Sequence, residues 1–200
     1  MAFEKIEMIE YLKEFLERES QSINDLKKFI TDDFFKVLDE VLMSEGRIFV
    51  SGIGTSGTIA RRMTHLLSCC SYPASFLHPS DGQHGASGAI QEGDLIILYS
   101  KGGESDEVIN FAKIARHRKA SVISVTESRM NTLAKNSDHV LLYKSQNNED
   151  QEGWICYSNS LSAAAIGDAL CVAIMKLRIM DWEEFGMIHP GGAVGKQLGK

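Results

Sequence analysis

Apolar residues Ile6, Ile9, Leu12, Phe15, Leu16, Ile23 and Leu26 recur at threes and fours, which predicts one amphipathic helix from Phe3 to about Ile30. Thr31-Asp32-Asp33 can cap a second helix, which is expected to run to Met43 with Gly46 past its end. The pattern then changes to short apolar strands alternating with helices. The predicted strands are Arg47 to Ser51, Ala74 to Leu77, Leu95 to Ser100, Ser121 to Thr126 and Val140 to Tyr143. Helical stretches at Thr55 to Ser68, Ser105 to His117 and about Asn131 to Lys135 lie between them. Near-continuous apolar strands such as Leu95-Ile96-Ile97-Leu98 suit a parallel sheet covered on both faces. The fold class is therefore α/β, a doubly wound five-stranded parallel sheet. Lys144 to Asn159 is polar and long enough to be a functional loop, and Ser160 to Ile179 reads as a buried helix. Pro190-Gly191-Gly192 near the end predicts a turn.

A chain of 200 residues can bury one sizeable core, so the expected organisation is a helical extension over 1–45 and one domain over 46–200. Hydrophobic residues make up 44% and charged residues 24%, the composition of a globular protein rather than a disordered one. No apolar run approaches the roughly 20 residues that span a bilayer, and the acid-rich start does not resemble a signal peptide. A cytoplasmic location with no membrane partner is the expectation. Cys69, Cys70, Cys156 and Cys171 show no CxxC spacing and are expected to be reduced. Residues 1–45 carry twelve acids against six bases, within a net charge of −6. That imbalance argues against nucleic-acid binding, which wants a basic face.

The candidate chemistry starts at Ser51-Gly52-Ile53-Gly54-Thr55-Ser56-Gly57, between the first strand and its helix. Its GxGxxG spacing raises the dinucleotide reading, but the second strand ends Ser75-Phe76-Leu77-His78-Pro79, without the acid that would hold a ribose. A triphosphate loop would need Gly-Lys-Ser/Thr, and Gly-Thr-Ser stands here instead. A second loop, Ser100-Lys101-Gly102-Gly103-Glu104-Ser105, again brings glycines and hydroxyls to a helix start. Two such loops can line the crevice where strand order reverses, with helix-start N–H groups and serine hydroxyls binding a phosphate monoester. Gly54, Thr55, Ser56, Ser100, Lys101, Gly102 and Ser105 are the candidate substrate-binding residues.

These loops, together with His78-Pro79-Ser80-Asp81-Gly82-Gln83-His84-Gly85 and Ile188-His189-Pro190-Gly191-Gly192, resemble the SIS (sugar isomerase) family of phosphosugar-binding domains, and within it the arabinose-5-phosphate isomerases. The resemblance runs from about residue 40 to the end. It implies a flavodoxin-like sheet, association into a homodimer or homotetramer with a site shared between subunits, and interconversion of an aldose phosphate with its ketose. No cofactor is implied. By the same resemblance Glu107 matches a catalytic acid and His189 a catalytic histidine that reaches a neighbouring subunit's site. His84 is a third candidate. Histidine suits ring opening and proton transfer because an unperturbed imidazole titrates near neutral pH. Glu104 reads as structural and His65 as packed or solvent-facing, and without paired histidine spacing no metal site is indicated. Many arabinose-5-phosphate isomerases carry lysine at the position of Thr55 and a catalytic acid near Asn148, where only Glu149 is adjacent. Lys101 is expected to supply the missing positive charge. The CBS pair that often follows in that family has no room before Lys200, so regulation through it is expected to be absent. The rival expectation is a non-catalytic sugar-phosphate sensor, or an isomerase of a hexulose or heptulose phosphate. The N-terminal helices are expected to pack across an oligomer, because their apolar stripes have no evident partner.

Overall fold

Strand propensity and apolar runs produce five parallel strands, β1 (Ile48–Gly52), β2 (Ala74–Phe76), β3 (Leu95–Tyr99), β4 (Ser121–Thr126) and β5 (His139–Leu142). They line up in the order β2-β1-β3-β4-β5 in a computed structural model that describes residues 5–145, 155–178 and 180–198. Around them run α1 (Lys5–Asn24), α2 (Asp32–Met43), α3 (Gly54–Cys69), α4 (Pro79–Gln83), α5 (Asp106–His117), α6 (Thr132–Lys135), α7 (Ser158–Arg178), α8 (Trp182–Ile188) and α9 (Gly192–Gln197).

Strand residues alternate between two cores. Ile48, Val50, Ile97, Tyr99, Ile123 and Val125 pack with α2, α3 and α7. Phe49, Ile96, Leu98 and Val122 pack with α5 and α6 on the other face. Both faces are buried, which is why β1 and β3 read as continuous apolar runs. The doubly wound class is therefore the observed one. The chain leaves β1 in one direction to β2 and returns on the other side to β3, so strand order reverses between β1 and β3.

Three expectations change. The first helix ends at Asn24 and tightens into a 3-10 turn at Asp25–Phe29, rather than running unbroken to Ile30. Helix α2 finds its partner inside this chain. It buries Phe34, Val37, Leu38 and Val41 in the core that also holds Leu141 of β5 and Ile174 of α7, which would otherwise meet water. The α1 stripe of Ile6, Ile9, Leu12 and Leu16 stays exposed. Finally, α7 is long and apolar enough to cross a membrane, contrary to the expectation that no run approaches that length. Its apolarity serves packing here: Ala163, Ile166, Leu170 and Ile174 are buried in the core, with Gly167 against Tyr99 and Met63. The polar loop from Lys144 is followed to Ser145 and again from Ile155, so Asn148 and Glu149 lie outside the described residues.

Candidate active site

Parallel strands aim their carboxyl ends at one edge of the sheet, and helices that follow start there with unpaired N–H groups. At the carboxyl end of β1, Gly54 takes φ +56, a left-handed conformation that strains any side-chain-bearing residue, and opens α3. Thr55 is exposed and Ser56 half-buried beside it. At the end of β3, Ser100 is buried and its Oγ accepts from Gly103 N at 3.2 Å. Lys101 is half-buried, Gly102 exposed, and Ser105 precedes α5. Neither Ile53 nor Ser105, the residues that precede α3 and α5, caps the helix with its side chain. Two helix starts with positive dipole ends thus flank the point where strand order reverses.

Glu107 is exposed in the first turn of α5, on the same edge as these loops. Glu104 is committed elsewhere: its Oε1 accepts from Thr132 N at 2.8 Å and ties the loop to α6, and hydrogen bonding from Thr132, its side chain first and its backbone second, lowers the carboxyl pKa. His84 is exposed at the end of α4, which is packed on α5 through Gly82 and Phe111. The neighbouring His78 accepts from Ser80 N through Nδ1 at 3.3 Å and so caps α4.

His189 is not brought to this edge. Its Nε2 lies 3.4 Å from Sγ of Cys69, the last residue of α3, while Gly54 is the first. At 1.5 Å per residue that separates His189 from the first loop of the same chain by roughly 20 Å. Its Nδ1 is 3.1 Å from Phe185 O, and its ring stacks on Phe185 with centroids 4.0 Å apart. His65 is exposed, with Nε2 3.7 Å from Cys69 Sγ. Burial pushes the Cys69 thiol above its usual pKa.

Residues not singled out from the sequence complete the edge. After β4, Thr126 Oγ1 donates to Lys101 O at 2.9 Å and accepts from Asn131 Nδ2 at 2.7 Å. Glu127 accepts from Ser145 N at 3.0 Å and from Asn159 Nδ2, joining the edge to the start of α7. The rule that ligands collect past strand ends would have pointed to the stretch after β4, though not to which of its side chains hold the loop. A cavity lined by Leu42, Gly46, Tyr72, Pro73 and Arg178 lies at the opposite, amino-terminal edge, away from these loops.

The SIS domain family matches residues 41–173. Among curated relatives, arabinose 5-phosphate isomerase KpsF of Escherichia coli is 31% identical over 192 residues, 96% of this chain and 61% of its own length. Arabinose 5-phosphate isomerase KdsD of Escherichia coli K12 is 30% identical over 186 residues, covering 93% of this chain and 57% of the relative. The chain thus spans little more than half the length of these relatives. A solved chain from Listeria monocytogenes, provisionally assigned as a sugar-phosphate isomerase, superposes with a TM-score of 0.91 at 29% identity, covering 95% of this chain and 100% of that one. A protein of Escherichia coli CFT073 solved in complex with arabinose 5-phosphate shares the fold, with a TM-score of 0.89 at 24% identity over 94% of this chain and 100% of that one. With a sheet of this order, paired glycine loops where it reverses, and a family match over most of its length, the chain belongs to the SIS domain family.

Proposed function

We propose that the chain is a cytoplasmic phosphosugar aldose–ketose isomerase that interconverts arabinose 5-phosphate and ribulose 5-phosphate. The observation that carries this reading is the pairing of two uncapped helix starts, at Gly54 and Ser105, across the reversal point of the sheet. They suit a phosphate monoester. The names of the curated relatives supply the sugar.

In the open-chain aldose, a base takes the proton from C2 and the electron pair forms the C1–C2 double bond of an enediolate. The C1 oxygen gains a proton, the C2 hydroxyl loses one, and the carbon-bound proton returns to C1. Glu107, on the edge where the phosphate would sit, is assigned as that base. His189 is assigned to ring opening and to proton transfer on the oxygens. Its distance from its own loops supports action in the site of a second copy, within a homodimer or homotetramer. His84 is the third assigned group, and Lys101, without an ion pair among the described residues, supplies positive charge beside Thr55.

The test is incubation of the purified protein with arabinose 5-phosphate in deuterated water, followed by NMR. Loss of the C2 proton signal with appearance of ribulose 5-phosphate, abolished in His189→Ala, is the expected result. Saturable binding without exchange would overturn the arabinose 5-phosphate reading and leave the sugar-phosphate sensor or an isomerase of another sugar phosphate, with the neutral Thr55 counting toward both.

A further inference from the structure

The loop from Ser100 to Ser105 is held from one side. Its Lys101 carbonyl accepts from Thr126 Oγ1 at 2.9 Å and from Glu127 N at 3.1 Å. Its Gly103 carbonyl accepts from Leu133 N at 2.9 Å. All three donors belong to the connection from the end of β4 through α6, and β4 flanks β3 on the side away from β1.

A trans peptide is planar, with its C=O and N–H pointing in opposite directions. A carbonyl drawn toward the β4 side therefore turns the N–H of the next residue the other way. The two N–H groups so turned are those of Gly102 and Glu104. Among the described residues, neither donates to a backbone or side-chain acceptor. On the side of β3 away from β4 lies β1, where the Gly54 loop opens α3.

Two buried side chains set this arrangement. Thr126 is fully buried, and its hydroxyl donates to Lys101 O and accepts from Asn131 Nδ2 at 2.7 Å. Asn131 uses its other end to accept from Ala134 N at 2.8 Å and so caps α6. Its amide also lies under Gly103, which has φ +67, and a Cβ there would fall 2.2 Å from Asn131 Cγ. Holding β3 and β4 together needs none of this, because they pair along Leu95–Tyr99 and Ser121–Val125.

We propose that Thr126 and Asn131 are positioning residues that aim the Gly102 and Glu104 N–H groups at the phosphate of the substrate. This rests on the anion-binding reading of the two loops. The pair touches no substrate; it acts through the direction of the Lys101 and Gly103 carbonyls.

The experiment is titration of the full chain with inorganic phosphate, followed through the backbone amide resonances of Gly102 and Glu104. It compares wild type with Thr126→Val, which keeps the shape and loses the hydroxyl, Thr126→Ser, which restores it, and Asn131→Asp. The last keeps an oxygen for Ala134 N but has no N–H for Thr126, and its carboxylate competes for the hydroxyl proton. Thermal unfolding of each variant reports the fold separately. Thr126→Val and Asn131→Asp are expected to weaken phosphate binding by about tenfold, with Thr126→Ser close to wild type. In turnover, KM for the sugar phosphate should rise in the same proportion while kcat changes little. Wild-type affinity in a folded Thr126→Val or Asn131→Asp protein would overturn the positioning role alone. A wild-type protein whose Gly102 and Glu104 amides ignore phosphate would remove the anion reading together with it.

Discussion

His189 Nε2 lies 3.4 Å from Cys69 Sγ, at the opposite end of α3 from the Gly54 loop. Glu107 sits at the loop end, so the two assigned catalytic groups of one chain lie on opposite edges of its sheet. They can serve one reaction only if copies exchange their histidines. Glu107→Ala and His189→Ala should each be inactive alone. Mixed under conditions that exchange subunits, they should regain about a quarter of wild-type activity, because half of the pairs are hybrids and each hybrid holds one complete site. Turnover measured against mixing ratio checks this. A mixture as inactive as its parents would place both residues in the same chain's site, or His189 outside it.

The same contact predicts how Cys69 reacts. Burial is the main cause that raises its pKa, with the neighbouring Cys70 adding to it, so the thiol stays protonated at neutral pH. Nucleophilicity belongs to the thiolate. Iodoacetamide at pH 7.5 should label Cys69 more slowly than a free cysteine in the same buffer, as read by mass spectrometry of the digested protein. Labelling as fast as the free amino acid would mean that His189 activates the thiol instead.

The sheet was legible in the sequence because every strand after the second helix carries its own signal. Ser121 to Thr126 is placed to the residue, and the others to within one. Gly54 and the Ser100 to Ser105 loop were legible too, since glycine and hydroxyl clusters between a strand and a helix have a local cause. Thr126 and Asn131 were not. Their importance lies in contacts between loops that follow different strands, and no local pattern encodes that. Helix α8 was missed although its signal was present: Asp181 accepts from Glu183 N and Glu184 N, an N-cap readable in Asp181-Trp182-Glu183-Glu184. The break after Asn24 escaped because Ile23 and Leu26 keep helical spacing through it. The position of His189 is likewise tertiary, fixed by Cys69 and Phe185.

Gly167 lets α7 lie against the sheet. A Cβ at this position would fall 2.6 Å from the Tyr99 hydroxyl oxygen and 3.3 Å from Met63 Sδ. Tyr99 is fully buried and has no room to swing away. Gly167→Ala should therefore cost roughly 1–3 kcal/mol of stability, the range for overpacking a dense core. Adding Tyr99→Phe removes the obstructing oxygen and should recover most of that loss, since the next ring atom lies 3.9 Å away. A double-mutant cycle in urea measures the coupling. Strict additivity of the two substitutions would show that the backbone of α7 shifts instead.

Tyr99 and Tyr143 make stability depend on alkaline pH. Burial is the main cause that raises both phenols. In the unfolded chain both ionise near 10.0. Above that value the unfolded chain holds fewer protons than the folded one, so stability falls as pH rises. The contribution is complete below about pH 9 and erodes above it, by about 1.4 kcal/mol per tyrosine for each pH unit beyond its unfolded value. Urea midpoints should hold steady from pH 7 to 8.5 and drop steeply by pH 10.5. Tyr99→Phe should flatten the drop at little cost near neutral pH, because the Tyr99 hydroxyl has no hydrogen-bond partner among the described residues. Tyr143→Phe should flatten it as well but start lower, since it gives up the 3.4 Å hydrogen bond from its hydroxyl to Asn159 Oδ1. A Tyr99→Phe protein that loses stability with pH as steeply as wild type would show that the tyrosine ionises in place without unfolding the chain.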